Sequence, residues 1–350
     1  MKPHIAIVGR MNAGKSTLLN FLTAQQASIV APQAGTTTDP VRRSFYLLDY
    51  GAVIFIDTAG FDDTSAIGAQ RVKSTRAAIA ESDLVLFVPM VDGQMDAQER
   101  AFLETIEASK PRIVVNKPFS DTLLDQIKTK LQNEIGTEPD FFGGRISADD
   151  TVVLVCPIDS EAPRGKLIMP QVAAVRAALD LHARAMVVQP AELDATLKII
   201  SPRLVVVDSQ AYTSVAQIVG TRSELTTFSI LLAEQKGDMK AYRQGLGAIA
   251  GLDDGDRILL VEHCSHQTSC EDIARVKIPQ YLFELTDRNL QFTVINGRSS
   301  LPEDLACYSL VVQCGGCVAT SAAIRARIEQ CCSAGVPITN YGMLLSARKK

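Results

Sequence analysis

Cys264-Ser-His266 and, some fifty residues on, Cys314-Gly-Gly-Cys317 stand at the far end of a chain that opens with Gly9-Arg-Met-Asn-Ala-Gly14-Lys15-Ser16. The first group offers soft thiolate and imidazole donors to a metal or an iron–sulfur cluster. The second spells a glycine-lined cradle for phosphate. A nucleotide switch at one end and a soft-metal site at the other imply that nucleotide state governs something held at the thiolates.

The phosphate motif follows the apolar run Ile5-Ala-Ile-Val8 and precedes a helical pattern from Lys15. In that setting backbone N–H groups of Gly9, Asn12, Ala13, Gly14, Lys15, Ser16 and Thr17 close around the phosphates at a helix N-terminus. Lys15 is expected to reach the β/γ-phosphates and Ser16 a Mg²⁺ ion. Asp57-Thr-Ala-Gly60 follows the apolar strand Val53–Ile56. Asp57 therefore stands where a carboxylate supports Mg²⁺, and Gly60 where a backbone N–H senses the γ-phosphate. Gly35-Thr-Thr-Thr-Asp39-Pro40 lies between the two, placed as a switch whose threonine hydroxyl completes the Mg²⁺ shell. Phe61, not glutamine, follows Gly60, so another device must stabilise the transition state. Asn116-Lys117 follows the strand Ile113–Val115 and begins a guanine-reading motif, yet the fourth position is Phe119 where an aspartate is expected. A loop shift bringing in Asp121 is one remedy. Too few residues follow Lys117 for the last strand, base-contacting loop and final helix of an ordinary G domain. The phosphate cradle reads as complete and the base pocket as incomplete.

At the other end a two-residue glycine turn brings both sulfurs of Cys314 and Cys317 to one side. Cys264 adds a third thiolate and His266 a possible fourth ligand. Four such ligands would close a structural zinc site, whereas three thiolates on a cubane leave one iron open to an exchangeable ligand. Iron–sulfur, zinc, and a redox or structural role all remain open on the residues alone. Adjacent Cys331-Cys332 read as small buried residues of a last helix.

The elements that must position these groups alternate strand and helix signals along the chain. Ile5–Val8, Val53–Ile56, Leu84–Val88 and Ile113–Val115 give the rhythm of a mostly parallel, doubly wound sheet. The pattern breaks near Glu138–Gly144. A second stretch predicts strands at Val152–Val155, Ala185–Val188 and Leu204–Val207, and helices over Met169–Leu181, Glu192–Ile199 and Phe228–Gln235. A third predicts strands Ile258–Val261 and Leu310–Val312, whose C-terminal ends deliver Cys264 and Cys314 to one edge of a sheet, then a helix from Ser321. The fold class is α/β: a shortened, P-loop GTPase-like doubly wound sheet over residues 1–145, then two further α/β domains over 146–254 and 255–350. At 47% hydrophobic and 21% charged residues, with a formal charge of -4, the chain has no global pull toward nucleic acid or anionic membrane. It has no apolar run of the roughly 18 residues a bilayer span needs, and a cytoplasmic location is expected.

The phosphate end resembles the subfamily of Era, EngA and MnmE GTPases. That resemblance implies that Thr37 is the switch threonine, that Asn12 helps to hold K⁺ where an arginine finger would otherwise act, and that Asn116 and Lys117 face the base. The whole chain is similar to the HydF family of [FeFe]-hydrogenase maturation GTPases. The thiolate spacing carries the likeness, with Pro157-Ile-Asp159, Val207-Asp-Ser-Gln-Ala211, Leu225-Thr-Thr-Phe-Ser229, Lys236-Gly-Asp238, Asp272-Ile-Ala-Arg-Val-Lys-Ile-Pro279 and Gly335-Val-Pro-Ile-Thr-Asn-Tyr-Gly342. It implies an N-terminal G domain using GTP, Mg²⁺ and K⁺, a middle domain that makes a homodimer, and a C-terminal domain with a [4Fe-4S] cluster on Cys264, Cys314 and Cys317. It implies a scaffold that takes a di-iron precursor from the radical-SAM maturases HydE and HydG and delivers it to apo-hydrogenase HydA, with no nucleic acid or membrane partner. Many relatives carry histidine before Cys-Gly-Gly-Cys where this chain has Gln313, so the fourth position falls to His266, water or the incoming precursor. An RNA-associated GTPase of the Era or MnmE kind and a zinc-stapled interaction protein with a vestigial G domain are the rival readings.

Overall fold

The computed structural model describes residues 2–24, 31–33, 40–47, 50–65, 67–92, 94–106, 110–134, 139–158, 165–262, 273–297 and 301–347. Cys264, His266 and Cys270, and the switch residues 35–39 with Thr37, lie outside them. The chain divides into two compact units: Met1–Thr137 with Thr320–Ala326, and Glu138–Ala319 with Arg327–Lys350.

In chain order the first unit holds β1 (His4–Gly9), α1 (Lys15–Ala24), β2 (Ala31–Gln33), β3 (Val41–Leu47), β4 (Gly51–Asp57), α2 (Gly68–Glu81), β5 (Leu84–Val88), α3 (Ala97–Thr105), β6 (Arg112–Val114) and α4 (Thr122–Glu134). The strands form one sheet in the order β2-β3-β4-β1-β5-β6. β4, β1, β5 and β6 run parallel, and β2 and β3 join antiparallel. β5 is buried at every residue and β1 from Ile5 to Val8, which is why both read as unbroken apolar runs: a parallel strand covered on both faces has no wet side to alternate toward. Leu18, Leu19 and Leu22 of α1 and Leu123, Ile127 and Leu131 of α4 cover one face. Ile79 of α2 and Phe102 and Leu103 of α3 cover the other. Each of these side chains, fully buried, contributes roughly 1.5–3 kcal/mol. β6 is the sheet's edge among the described residues.

The second unit contains two four-stranded sheets, both wholly parallel. The first uses β7 (Thr151–Val155), α5 (Met169–Asp180), β8 (Arg184–Val188), α6 (Leu193–Ile199), β9 (Leu204–Val207), α7 (Tyr212–Val219), β10 (Glu224–Thr227) and α8 (Phe228–Lys236). Its order is β10-β9-β7-β8, so β8 is an edge. Ala174 and Ala178 of α5 with Phe228, Leu231 and Leu232 of α8 cover one face, and α6 and α7 the other.

The second sheet uses α9 (Met239–Ala248), β11 (Arg257–Glu262), α10 (Ile278–Thr286), β12 (Gln291–Asn296), β13 (Leu310–Gln313), β14 (Ile338–Asn340) and α12 (Tyr341–Ser346), and α11 (Ser321–Ser333) belongs to this unit only from Arg327 on. Its order is β12-β11-β13-β14. α9 belongs to this sheet: a methyl at Gly245 would lie 2.1 Å from the Ile338 carbonyl oxygen, so only glycine lets the helix approach β14 so closely. The Thr339 hydroxyl also donates to the Tyr242 carbonyl at 3.0 Å. No helix among the described residues is long and apolar enough to cross a membrane.

Candidate functional site

Two groups of side chains bear chemistry, one in each unit. In the first, β1 ends at Gly9 and the chain turns through a loop in which Asn12 (φ 61°) and Gly14 (φ 92°) are left-handed. The turn aims the N-terminus of α1 back at the loop, the arrangement that binds phosphate. Lys15 is buried, and its ammonium donates to the carbonyl oxygens of Gly9 (3.2 Å) and Arg10 (2.7 Å). Burial lowers its pKa, opposed by the charges of Asp57 and Asp62.

Asp57 ends β4, paired with Ile7 of β1. One of its carboxylate oxygens accepts from the Ser16 hydroxyl at 2.8 Å. The other is buried with no partner. Burial pushes the carboxyl's pKa up, outweighing the Ser16 hydrogen bond and the nearby Lys15 charge. An orphaned carboxylate oxygen beside a hydroxyl is the donor set a hard divalent cation takes, so these residues fit Mg²⁺.

Gly60 follows at close quarters: a methyl there would lie 2.6 Å from the Met11 nitrogen. Asp62 closes the contact. Its carboxylate accepts from the Met11 N–H (2.7 Å) and from Arg10 (2.9 Å), and Arg10 also pairs with Asp96 (2.6 Å). Burial acts upward on Asp62, but the Arg10 and Met11 hydrogen bonds prevail and hold its carboxyl below the usual range. Sequence reasoning missed this pair; its signal was the Asp62-Asp63 that follows Phe61. Phe61 itself is buried and stacks on Phe102, centroids 4.0 Å apart, so it orients no water.

Asn116 and Lys117 follow β6. Asn116 is exposed; Lys117 donates to the Pro89 carbonyl at 2.7 Å, and its backbone N–H to Asp92 at 2.6 Å. Phe119 turns inward onto the core beside Phe21, centroids 5.6 Å apart. Asp121 is exposed in the turn before α4.

In the second unit the thiol loop leaves β13 at Cys314. The Cys314 N–H donates to the Val261 carbonyl at 2.9 Å, so the loop starts against the end of β11, the strand that leads to Cys264. Cys314 is buried in the C-terminal core, and half-buried Cys317 packs on the core of the preceding sheet. Gly316 is left-handed (φ 61°), which sets the turn between them. Two thiols flanking a glycine turn at the C-terminal edge of a parallel sheet suit a soft metal or an iron–sulfur group. Among the described residues no three metal-ligating side chains converge; Cys264 and His266 are not among them. Gln313 is fully buried, and its side-chain amide donates to the Tyr242 hydroxyl. Cys156 and Cys331 are buried, their thiols pushed up to about 12 by burial. Cys332, expected to be buried, is exposed.

A P-loop before a Ser–Asp pair and a close-packed glycine is the arrangement of a P-loop domain of the GTPase class, joined in this chain to a separate thiol-bearing α/β unit. Residues 4–117 match the family described as 50S ribosome-binding GTPase, 141–237 the Hydrogen maturase F dimerization domain, and 240–350 the Hydrogen maturase F tetramerization domain. The chain belongs to the hydrogen maturase F (HydF) family. Among curated relatives, GTPase Der of Leptothrix cholodnii is 44% identical over 117 residues, 33% of this chain and 26% of that protein. The tRNA modification GTPase MnmE of Halorhodospira halophila is 40% identical over 135 residues, 38% of this chain and 28% of that one. The chain thus spans little more than a quarter of these relatives. Among solved structures, Aquifex aeolicus Era bound to GDP and AlF4⁻ has 19% identity and a TM-score of 0.26, covering 85% of this chain and 96% of that one. The G domain of the T. maritima FeoB iron transporter has 17% identity and a TM-score of 0.24, covering 57% and 98%.

Proposed function

We propose that the chain is a scaffold and carrier in [FeFe]-hydrogenase maturation, holding a [4Fe-4S] cluster on Cys264, Cys314 and Cys317 and passing a di-iron precursor to apo-hydrogenase. The observation that carries this reading is the hydrogen bond from the Cys314 N–H to the Val261 carbonyl. Cys264 follows Val261 by three residues, a tether that reaches no further than about 11 Å, which is compatible with a third thiolate at this end of the sheet. A cubane held by three thiolates supplies one iron with an exchangeable position. His266 is the protein's own donor for that position, and the precursor is the cargo that would compete for it.

In the nucleotide unit, Lys15 and the loop N–H groups of Gly9 to Thr17 hold the phosphates, while Ser16, Asp57 and Thr37 hold Mg²⁺. Gly60 senses the γ-phosphate, and Asn12 holds K⁺ in the role that Phe61 cannot take. Asn116 and Lys117 serve the base. Nucleotide state then biases partner contacts, which requires that HydE, HydG or HydA bind the two states with different affinity. GTP hydrolysis need not touch the iron.

The test is iron and sulfide analysis with electron paramagnetic resonance on reduced, anaerobically prepared protein. About four irons and four sulfides per chain, lost in Cys314→Ala, support the proposal. A colourless protein with one zinc per chain replaces it with the zinc-stapled reading, and a salt-dependent shift of RNA by the same preparation revives the RNA-associated one.

A further inference from the structure

We infer that Lys236 is the positioning residue of the thiol loop, a reading that rests on Cys314 and Cys317 being cluster thiols as proposed above. Lys236 ends α8, in the sheet that precedes the thiol-bearing one, and is only 3% exposed. Lysine is almost never buried so far, because an ammonium taken from water must find acceptors to offset its lost hydration. It finds two of them in the loop: its Nζ donates to the carbonyl oxygens of Gly316 at 2.7 Å and Ala319 at 3.1 Å. One acceptor lies between the two thiols and the other two residues past the second. Gly315 and Gly316 bring no side chains to the turn; the Ala319 N–H closes it onto the Gly316 carbonyl at 3.0 Å, and Lys236 adds a charged donor to that same carbonyl. α8 also backs the loop sterically, since a methyl at Gly315 would rest 3.6 Å from Ser229.

The other end of the loop is held by the same stretch of chain. Gln313, immediately before Cys314, donates its side-chain amide to the Tyr242 hydroxyl, and Arg327 donates to its carbonyl at 3.4 Å. Tyr242 sits on α9, whose N-terminus is capped by Asp238. Between Lys236 and Asp238, Gly237 admits the Tyr242 ring, which a methyl there would meet at 2.5 Å. Residues 236–242 therefore grip the thiol segment before its first cysteine and around its second. An apolar side chain of similar length would fill the Lys236 space without a desolvation cost, and it would leave the Gly316 and Ala319 carbonyls without this donor.

The experiment alkylates the metal-free full chain with iodoacetamide and follows each cysteine by mass spectrometry in wild type, Lys236→Met and Lys236→Arg. Cys156 and Cys331, buried elsewhere, report global unfolding. Loss of hydrogen bonds from a charged donor should open the loop locally and speed labelling of Cys314 about tenfold in Lys236→Met, with Cys156 and Cys331 unchanged and Lys236→Arg close to wild type. Unchanged Cys314 labelling overturns the inference. So does equal acceleration at all three buried cysteines, which would make Lys236 a general stabiliser. If Lys236→Met does not fold, Tyr242→Phe keeps the ring against Gly237 and removes only the hydroxyl from Gln313, and unchanged labelling of Cys314 there overturns the clamp as well. After reconstitution with iron and sulfide, Lys236→Met should alter the paramagnetic line shape of the reduced cluster. A wild-type chain that takes up no iron and sulfide defeats the function proposed above, while the labelling result still decides the role of Lys236.

Discussion

The unpartnered oxygen of Asp57 sets the chemistry of the nucleotide unit at the scale of one residue. Its pKa is raised by burial, so folding favours the protonated form. The stability it lends is full below the ordinary aspartate range and is lost as pH rises through the raised value. Above that raised value the ionised group burdens the nucleotide-free fold, and a divalent cation would relieve it. Asp57→Asn should therefore raise the melting temperature of the nucleotide-free chain at neutral pH, abolish the further rise that Mg²⁺ with GTP brings to wild type, and slow GTP hydrolysis about 100-fold or more. A lowered melting temperature in the nucleotide-free variant would show that the carboxylate is already satisfied. Phe61 invites the opposite manipulation. Because its ring is buried on Phe102, Phe61→Gln should cost roughly 2–4 kcal/mol in urea unfolding and leave hydrolysis no faster; a faster variant would show that the ring had been standing in the place of a water-orienting amide. The letters at these positions were legible because Lys15, Ser16, Asp57 and Gly60 act through fixed spacing on a strand–loop–helix unit. The Asp62 bond to Met11 was not, since it depends on how closely Gly60 lets the two loops approach. Phe119 was legible as a missing aspartate. Its destination beside Phe21 follows only from the packing of α1 against α4.

At the scale of elements, the buried parallel strands and the helices α5, α6 and α8 were legible close to their observed ends. β7, β9, β11 and β13 are short runs of Val, Ile and Leu, buried on both faces, and the sequence marks them within a residue or two of their observed ends. β2, β3, β10, β12 and β14 went unmarked. β12, Gln291–Asn296, is half-exposed, and β14 spans three residues, so neither carries a strong apolar signal. α9 was also unread, although Asp238 is a good N-cap, because Gly245 and Gly247 weaken the helical pattern; Gly245 is needed for the approach to β14. β8 shows what sequence cannot mark at all. Its residues Met186 and Val187 are 40% and 44% exposed, and they read as an ordinary core strand until the sheet order makes β8 an edge. An apolar strand at the edge of a sheet among the described residues is a template for pairing, and β8 lies within the matched dimerization domain. Val187→Lys should lower the oligomeric state seen by size-exclusion chromatography with light scattering, and leave circular dichroism unchanged. An oligomeric state that does not change in the variant would place any interface elsewhere.

At the scale of the whole molecule, the two chemistries occupy different compact units, each with its own sheets and buried core. Phosphate is held by a loop whose shape comes from β1, α1 and the left-handed Asn12 and Gly14; the thiols are held by β13, α8 and the segment 236–242. Residues that share no partners and no core generally contribute additively, so removing one function should leave the ligand of the other in place. Cys314→Ala is expected to lose most of its iron and sulfide while its GTP affinity stays within about threefold of wild type, a change of under roughly 1 kcal/mol. Lys15→Ala is expected to lose nucleotide binding and keep its iron content. Coupling between nucleotide and cargo would then have to reside in partner affinity, where each nucleotide state is weighed against a bound maturase or hydrogenase, and not in ligand binding to the isolated chain. Calorimetry of GTP binding to cluster-loaded and cluster-free protein decides the matter. An affinity ratio above about tenfold between the two would mean that the sites share a free energy of more than roughly 1.4 kcal/mol without any partner, and the scaffold would have to be treated as a single two-ligand switch.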